Sequence, residues 1–108
     1  MSCQGYWTTE TINHTYQADT DCTILIIAYL AGGNGDKNHI QKFEITISKG
    51  DANIINKDDN NYYDENSSGT SMCIQTATVN MKNGSQIDLS SYGNTRYSPM
   101  GFIIFNLY

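Results

Sequence analysis

The chain has 108 residues, a formal charge of -5, 39% hydrophobic residues and only 16% charged residues. That length sets one domain spanning residues 1–108, because a single hydrophobic core is the usual solution at this size. The composition excludes a coiled coil, the long apolar runs exclude intrinsic disorder, and no run approaches the roughly 20 apolar residues of a membrane-spanning helix.

Charge also sorts the partners. Binding a phosphate backbone needs clustered Lys and Arg, and the six such residues here are scattered, so nucleic acid is not expected. An anionic membrane surface is disfavoured on the same ground, and no membrane insertion is expected. No signal peptide is visible: the first residues lack a basic stretch followed by an apolar one, and Asp19 and Asp21 precede the apolar run. The sequons beginning at Asn13, Asn66 and Asn83 are therefore read as unglycosylated.

Taken in chain order, the pattern is β throughout. Residues 6–9 (YWTT) and 15–17 (TYQ) make two weak strands. Residues 23–30 (TILIIAYL) form a continuous apolar run rich in β-branched side chains, which ends at the glycines of 32–35. The run is too short for a buried helix and predicts a central strand covered on both faces. Residues 43–48 (FEITIS) alternate with period two, as a half-buried strand does, and Lys49-Gly50-Asp51 turns the chain into a short strand over 52–56. Residues 57–70 keep no apolar period and read as an exposed loop. Strand character resumes over 72–81. Lys82-Asn83-Gly84-Ser85 then signals a hairpin, since Asn-Gly takes the left-handed angles of a tight I′ turn, with a short return strand over 87–89. Residues 90–100 read as a loop with two tyrosines, Arg96 and Pro99. The final segment, 101–108, is a strand whose aromatic end implies pairing inside a sheet. Seven or eight short strands with turns between them predict an all-β fold, an antiparallel two-sheet jelly-roll sandwich.

Chemistry-bearing residues are few. Cys3, Cys22 and Cys73 are an odd, widely spaced set and read as buried or incidental thiols, with one disulfide, Cys22 to Cys73, left open. His14 and His39 read as surface residues, and neither a G-x-S-x-G elbow nor an H-E-x-x-H motif occurs. No catalytic residue is expected, and the chain is not read as an enzyme. The Gly32-Gly33-Asn34-Gly35-Asp36-Lys37 stretch lacks phosphate-loop spacing. Asp58, Asp59, Asp64 and Glu65 offer oxygen ligands to Ca²⁺, but without EF-hand spacing; a solvated acidic loop is the plainer reading, and no cofactor is expected. Trp7 reads as a packing residue.

The candidate ligand-binding residues are Tyr62, Tyr63, Tyr92, Arg96 and Tyr97, all placed in expected loops. Tyrosine among Asn, Ser and Gly makes an adaptable recognition surface, and its ring suits the C–H face of a sugar. Arg96 would pair with a carboxylate of a ligand or of a neighbouring acidic loop.

Four segments carry a family resemblance. Residues 15–26 (TYQADTDCTILI) look like the opening of the small C-terminal jelly-roll domains of bacteriophage tail fibres and bacterial collagen-like proteins. Residues 43–47 (FEITI) sit where those domains carry an x-I-x-I-N-G strand, and 79–87 (VNMKNGSQI) resemble their V-x-V-K-K-G-D-x-I hairpin. Residues 101–105 (GFIIF) resemble their closing strand and that of C1q and tumour-necrosis-factor-like domains. The likeness covers residues 15–108, with Thr20 where proline is common, Cys22 where glycine is common and Ser85 where aspartate is common. The resemblance implies a homotrimer with one sheet of each protomer around the threefold axis and distal loops on a receptor. The expected function is a non-catalytic recognition domain at the tip of a phage fibre or surface appendage, in a virion or outside the cell. Its partner would be a cell-surface glycan or protein receptor. The alternative is a structural trimerisation or assembly domain with no ligand of its own. A small secreted hydrolase or toxin-like sandwich is a third reading, without a catalytic constellation behind it.

Overall fold

The computed structural model describes residues 8–31, 39–58, 72–95 and 100–108. They form seven strands and no helix: β1 (Thr8–Gln17), β2 (Cys22–Ala31), β3 (His39–Lys49), β4 (Ala52–Lys57), β5 (Met72–Met81), β6 (Gln86–Thr95) and β7 (Met100–Asn106). Two antiparallel sheets, β1-β6-β3 and β4-β5-β2-β7, pack as a β-sandwich.

The core follows from side chains alternating across each strand. On β2 the even positions Ile24, Ile26, Ala28 and Leu30 are fully buried. They join Ala77, Val79 and Met81 of β5 against Phe43 of β3 and Ile87 and Leu89 of β6. Phe43 also lies against Phe102 of β7, with ring centroids 6.2 Å apart, and under the Lys57 ammonium at 5.4 Å. The odd positions Leu25, Ile27 and Tyr29 are only half-buried. The apolar run is central, as its composition requires, but the sandwich covers one of its faces, not both.

Several local expectations change with the pairing. The two weak N-terminal strands are one strand from Thr8, and residues before it lie outside the described set. The 82–85 segment is a β-turn, with the Ser85 N–H donating to the Lys82 carbonyl and Gly84 at φ 86°. It is not a hairpin, because β5 and β6 belong to different sheets. The short return strand is a ten-residue strand, so residues 90–95 of the expected loop are strand instead, and residues 96–99 lie outside the described residues. Its small residues Ser91 and Gly93 face inward, Ser91 beside the large Phe43 ring. The final strand is paired, but as an edge strand with β2.

The open disulfide is ruled out by register. Cys22 pairs with Met81 while Cys73 pairs with Leu30, so the two lie eight positions apart along adjacent strands. At roughly 3.3 Å per residue that is far beyond the 7 Å limit for bridged Cα atoms. Neither cysteine is in a disulfide.

One end of the sandwich is closed by three turns bonded to each other. Ala18 N–H donates to the Ser85 carbonyl, Gly84 N–H to that of Ala18, and Lys82 N–H to that of Asp51. Asn83 N–H donates to Asp21 Oδ1 at 2.8 Å. Gly50 has φ 72°, and a Cβ there would lie 2.9 Å from Ser85 Cα, so this residue must be glycine for both reasons.

Candidate functional site

The five tyrosine and arginine candidates do not share a described site. Tyr62, Tyr63, Arg96 and Tyr97 lie outside the described residues. Tyr92 is not in a loop; it stands on β6, the central strand of its sheet, opposite Thr11 of β1 and Lys42 of β3. Its side chain is half-buried and alternates away from the inward-facing Ser91 and Gly93.

Around Tyr92 the outer face of the three-stranded sheet is polar. Asp88 sits between Thr15 and Thr46, and Ser90 between Asn13 and Glu44. Thr15 Oγ1 donates to Asp88 Oδ1 at 2.9 Å, and Gln86 Nε2 to Ser48 Oγ at 3.2 Å. Lys42 Nζ lies 3.5 Å from Glu44 Oε2, with both side chains more than half exposed, so this pair adds little stability. Alternation hides no apolar residue here, and the face is a flat field of donors and acceptors.

On the outer face of the four-stranded sheet β5 shows Thr76, Thr78 and Asn80, but β2 and β7 show apolar side chains. Leu25 pairs with Phe105, Ile27 with Ile103 and Tyr29 with Gly101 across β2 and β7, and Ile74 of β5 flanks Tyr29. Ile74, Ile103 and Phe105 are 44%, 43% and 48% exposed. A Cβ at Gly101 would lie 2.6 Å from the Tyr29 hydroxyl oxygen, so the Tyr29 ring is laid across the glycine and adds to the apolar surface. No charged residue occurs in β2, β5 or β7. The sequence signal for this face was present in the unbroken 23–30 run; what it lacked was the knowledge of which face stays open.

Of the four proposed Ca²⁺ ligands, only Asp58 is described. Its Oδ2 accepts hydrogen bonds from the Thr76 N–H at 2.9 Å and the Thr76 hydroxyl at 3.2 Å, which pins the end of β4 to β5. Asp59, Asp64 and Glu65 lie outside the described residues. Among the described residues no group of three or more His, Cys, Asp or Glu side chains is placed to hold a metal ion.

Two titrating groups near the turn end are perturbed. Burial pushes the Cys22 thiol up, and the carboxylates of Asp19 and Asp21 push it further. Burial raises the Tyr16 phenol too, helped by Cys22 and Asp19. A thiol shifted in this direction holds its proton at neutral pH and is a poor nucleophile. His14 stands exposed on β1. No protein-family model, curated protein or solved structure matches this chain.

Proposed function

We propose that the chain is a non-catalytic recognition domain that assembles as a homotrimer, at the tip of a phage fibre or similar surface appendage, and binds a cell-surface receptor such as a glycan. The observation that carries this reading is the open apolar face of β2 and β7. A strand apolar on both faces suits burial on both faces, and the chain's own fold buries one. A contiguous exposed apolar patch marks an interaction surface.

A second copy is the occupant that the charges favour. Each chain carries a formal charge of -5, so copies repel one another except where charge is absent. The three adjacent strands β5, β2 and β7 are that place. A small domain gains stability from such association. The number three comes from the resemblance to C1q and tumour-necrosis-factor-like domains.

The strand order supports the jelly-roll part of the reading. β1 pairs with β6 and β2 with β5, nested as in one long ribbon folded back near the β3–β4 turn. The ribbon then closes on itself through β3 with β6 and β2 with β7. Rolling a ribbon in this way produces the two-sheet jelly roll. The same face would equally serve an assembly domain with no ligand, and a glycan array separates the two.

Light scattering coupled to size exclusion tests the assembly. The expected mass is three times the 12.1 kDa chain, falling to one chain mass in Ile103→Lys/Phe105→Lys with an unchanged far-UV spectrum. A monomeric native chain at high concentration would remove the reading.

A further inference from the structure

The closed end of the sandwich holds a pocket of about 510 Å³, within the size range of small-ligand sites. Its walls carry Asp21, Asp51, Asn53, Asn80, Lys82 and Tyr108. These residues come from three turns, two strands and the segment after β7, and none belongs to the candidates read from the sequence. We infer that this pocket binds the ring of an uncharged saccharide; the inference rests on the receptor-binding reading above and gives it a site and a ligand class.

The lining has the required chemistry. A pyranose ring presents hydroxyls around its edge and C–H groups on its faces. Planar carboxylates and carboxamides can each take two neighbouring hydroxyls, and an aromatic ring covers a C–H face. The Asp51 carboxylate and the Asn53 carboxamide have no side-chain partner among the described residues. Asn80 Oδ1 accepts from Thr23 Oγ1, which leaves the Asn80 amide hydrogens to donate. Lys82 Nζ lies 3.9 Å from Asp21 Oδ2, both exposed, so the ammonium is free to exchange this weak pair for a hydroxyl. Tyr108 is 86% exposed and is held beside Thr23, because the preceding Leu107 N–H donates to the Thr23 carbonyl at 2.8 Å.

Charge selects the class. Two carboxylates against one ammonium leave the lining with one net negative charge, which repels sialylated, sulfated or phosphorylated sugars. The frame is also set in advance. The Lys82–Asp51, Asn83–Asp21 and Gly84–Ala18 bonds tie the turns together, so the backbone of the frame needs no ordering when a ligand enters.

The experiment is a ¹H–¹⁵N correlation titration of the full chain with the neutral oligosaccharides that score highest on a glycan array, with N-acetylneuraminic acid as the anionic control. The expected result is shifts at Asp21, Asp51, Asn53 and Lys82 with neutral sugars and none with the anionic one. Asp51→Ala and Asn53→Ala, each with a native-like spectrum, weaken binding roughly fivefold to tenfold, as loss of a ligand hydrogen bond does. Binding with shifts centred on Tyr92, or undiminished in both variants, overturns the pocket but leaves the receptor reading standing. An array with no hit and no shift from any sugar removes both, and favours the assembly domain.

Discussion

On β6 the outward positions are Gln86, Asp88, Ser90 and Tyr92; on β2 they are Thr23, Leu25, Ile27 and Tyr29. Both strands are central in their sheets, hydrogen-bonded on either side, and both bury inner residues: Ile24, Ile26, Ala28 and Leu30 on β2, Ile87, Leu89 and Ser91 on β6. They therefore face the same demand from the core and differ only in what they show outward. A polar outer face is complete within one chain, since water satisfies its groups. An apolar outer face is not, and its free energy depends on something outside the chain covering it. The comparison teaches that the unusual strand is the one whose outside matches its inside.

The largest expected effect sharpens this within a single strand. Ile26→Ala empties a fully buried site and should lower unfolding free energy by about 3 to 4 kcal/mol. Its neighbour Ile27→Ala faces outward and should cost about 1 kcal/mol in the dilute chain, rising with protein concentration as copies associate. Chemical denaturation at two concentrations measures both. Equal, concentration-independent losses would mean that the outer face is already covered within one chain, and the contrast between the faces would fail.

A smaller effect is expected at Gly101. Alanine there would put its Cβ 2.6 Å from the Tyr29 hydroxyl oxygen and displace the ring, with an expected loss of about 1 to 2 kcal/mol. In a Tyr29→Ala background the same substitution should be nearly neutral, and a double-mutant cycle reads the difference. A full loss in both backgrounds would place the strain in the strand, not in the ring.

The smallest effect belongs to the polar face. Thr15→Val removes the 2.9 Å bond to Asp88 from an exposed site, and stability should stay within about 0.5 kcal/mol, with the particle mass unchanged. A change of mass in this variant would make the polar sheet the contact surface and reverse the assignment of the two faces.

Legibility differed between strands and partners. The 72–81 strand was readable to the residue, because alternation of Cys73, Gln75, Ala77 and Val79 with more exposed residues follows the pleat. Residues 90–95 were misread as part of a loop because Ser91, Gly93 and Asn94 have low strand propensity; pairing on both sides, with β1 and β3, overrides that preference. Lys82-Asn83-Gly84-Ser85 announced a chain reversal correctly but not its destination. A turn fixes the direction of the next few residues, whereas the sheet they join depends on partners far away in the chain.

The end pocket could not be read at all. Asp21, Asp51 and Lys82 belong to three separate turns and Asn53 to the start of β4, and no spacing in the sequence links them.

What the sequence determined by itself is local: the β class, the position of most strands, the glycines that turns require, and a strand apolar on both sides. These follow from side-chain period, branching at Cβ and backbone sterics, which act over a few residues. Only the tertiary structure decided which sheet each strand joined, which face of β2 stayed open, that Cys22 and Cys73 stand too far apart to bond, and that three turns meet around one pocket. Those outcomes depend on pairings between residues tens of positions apart, and the free energy that selects them comes from burying the whole core at once.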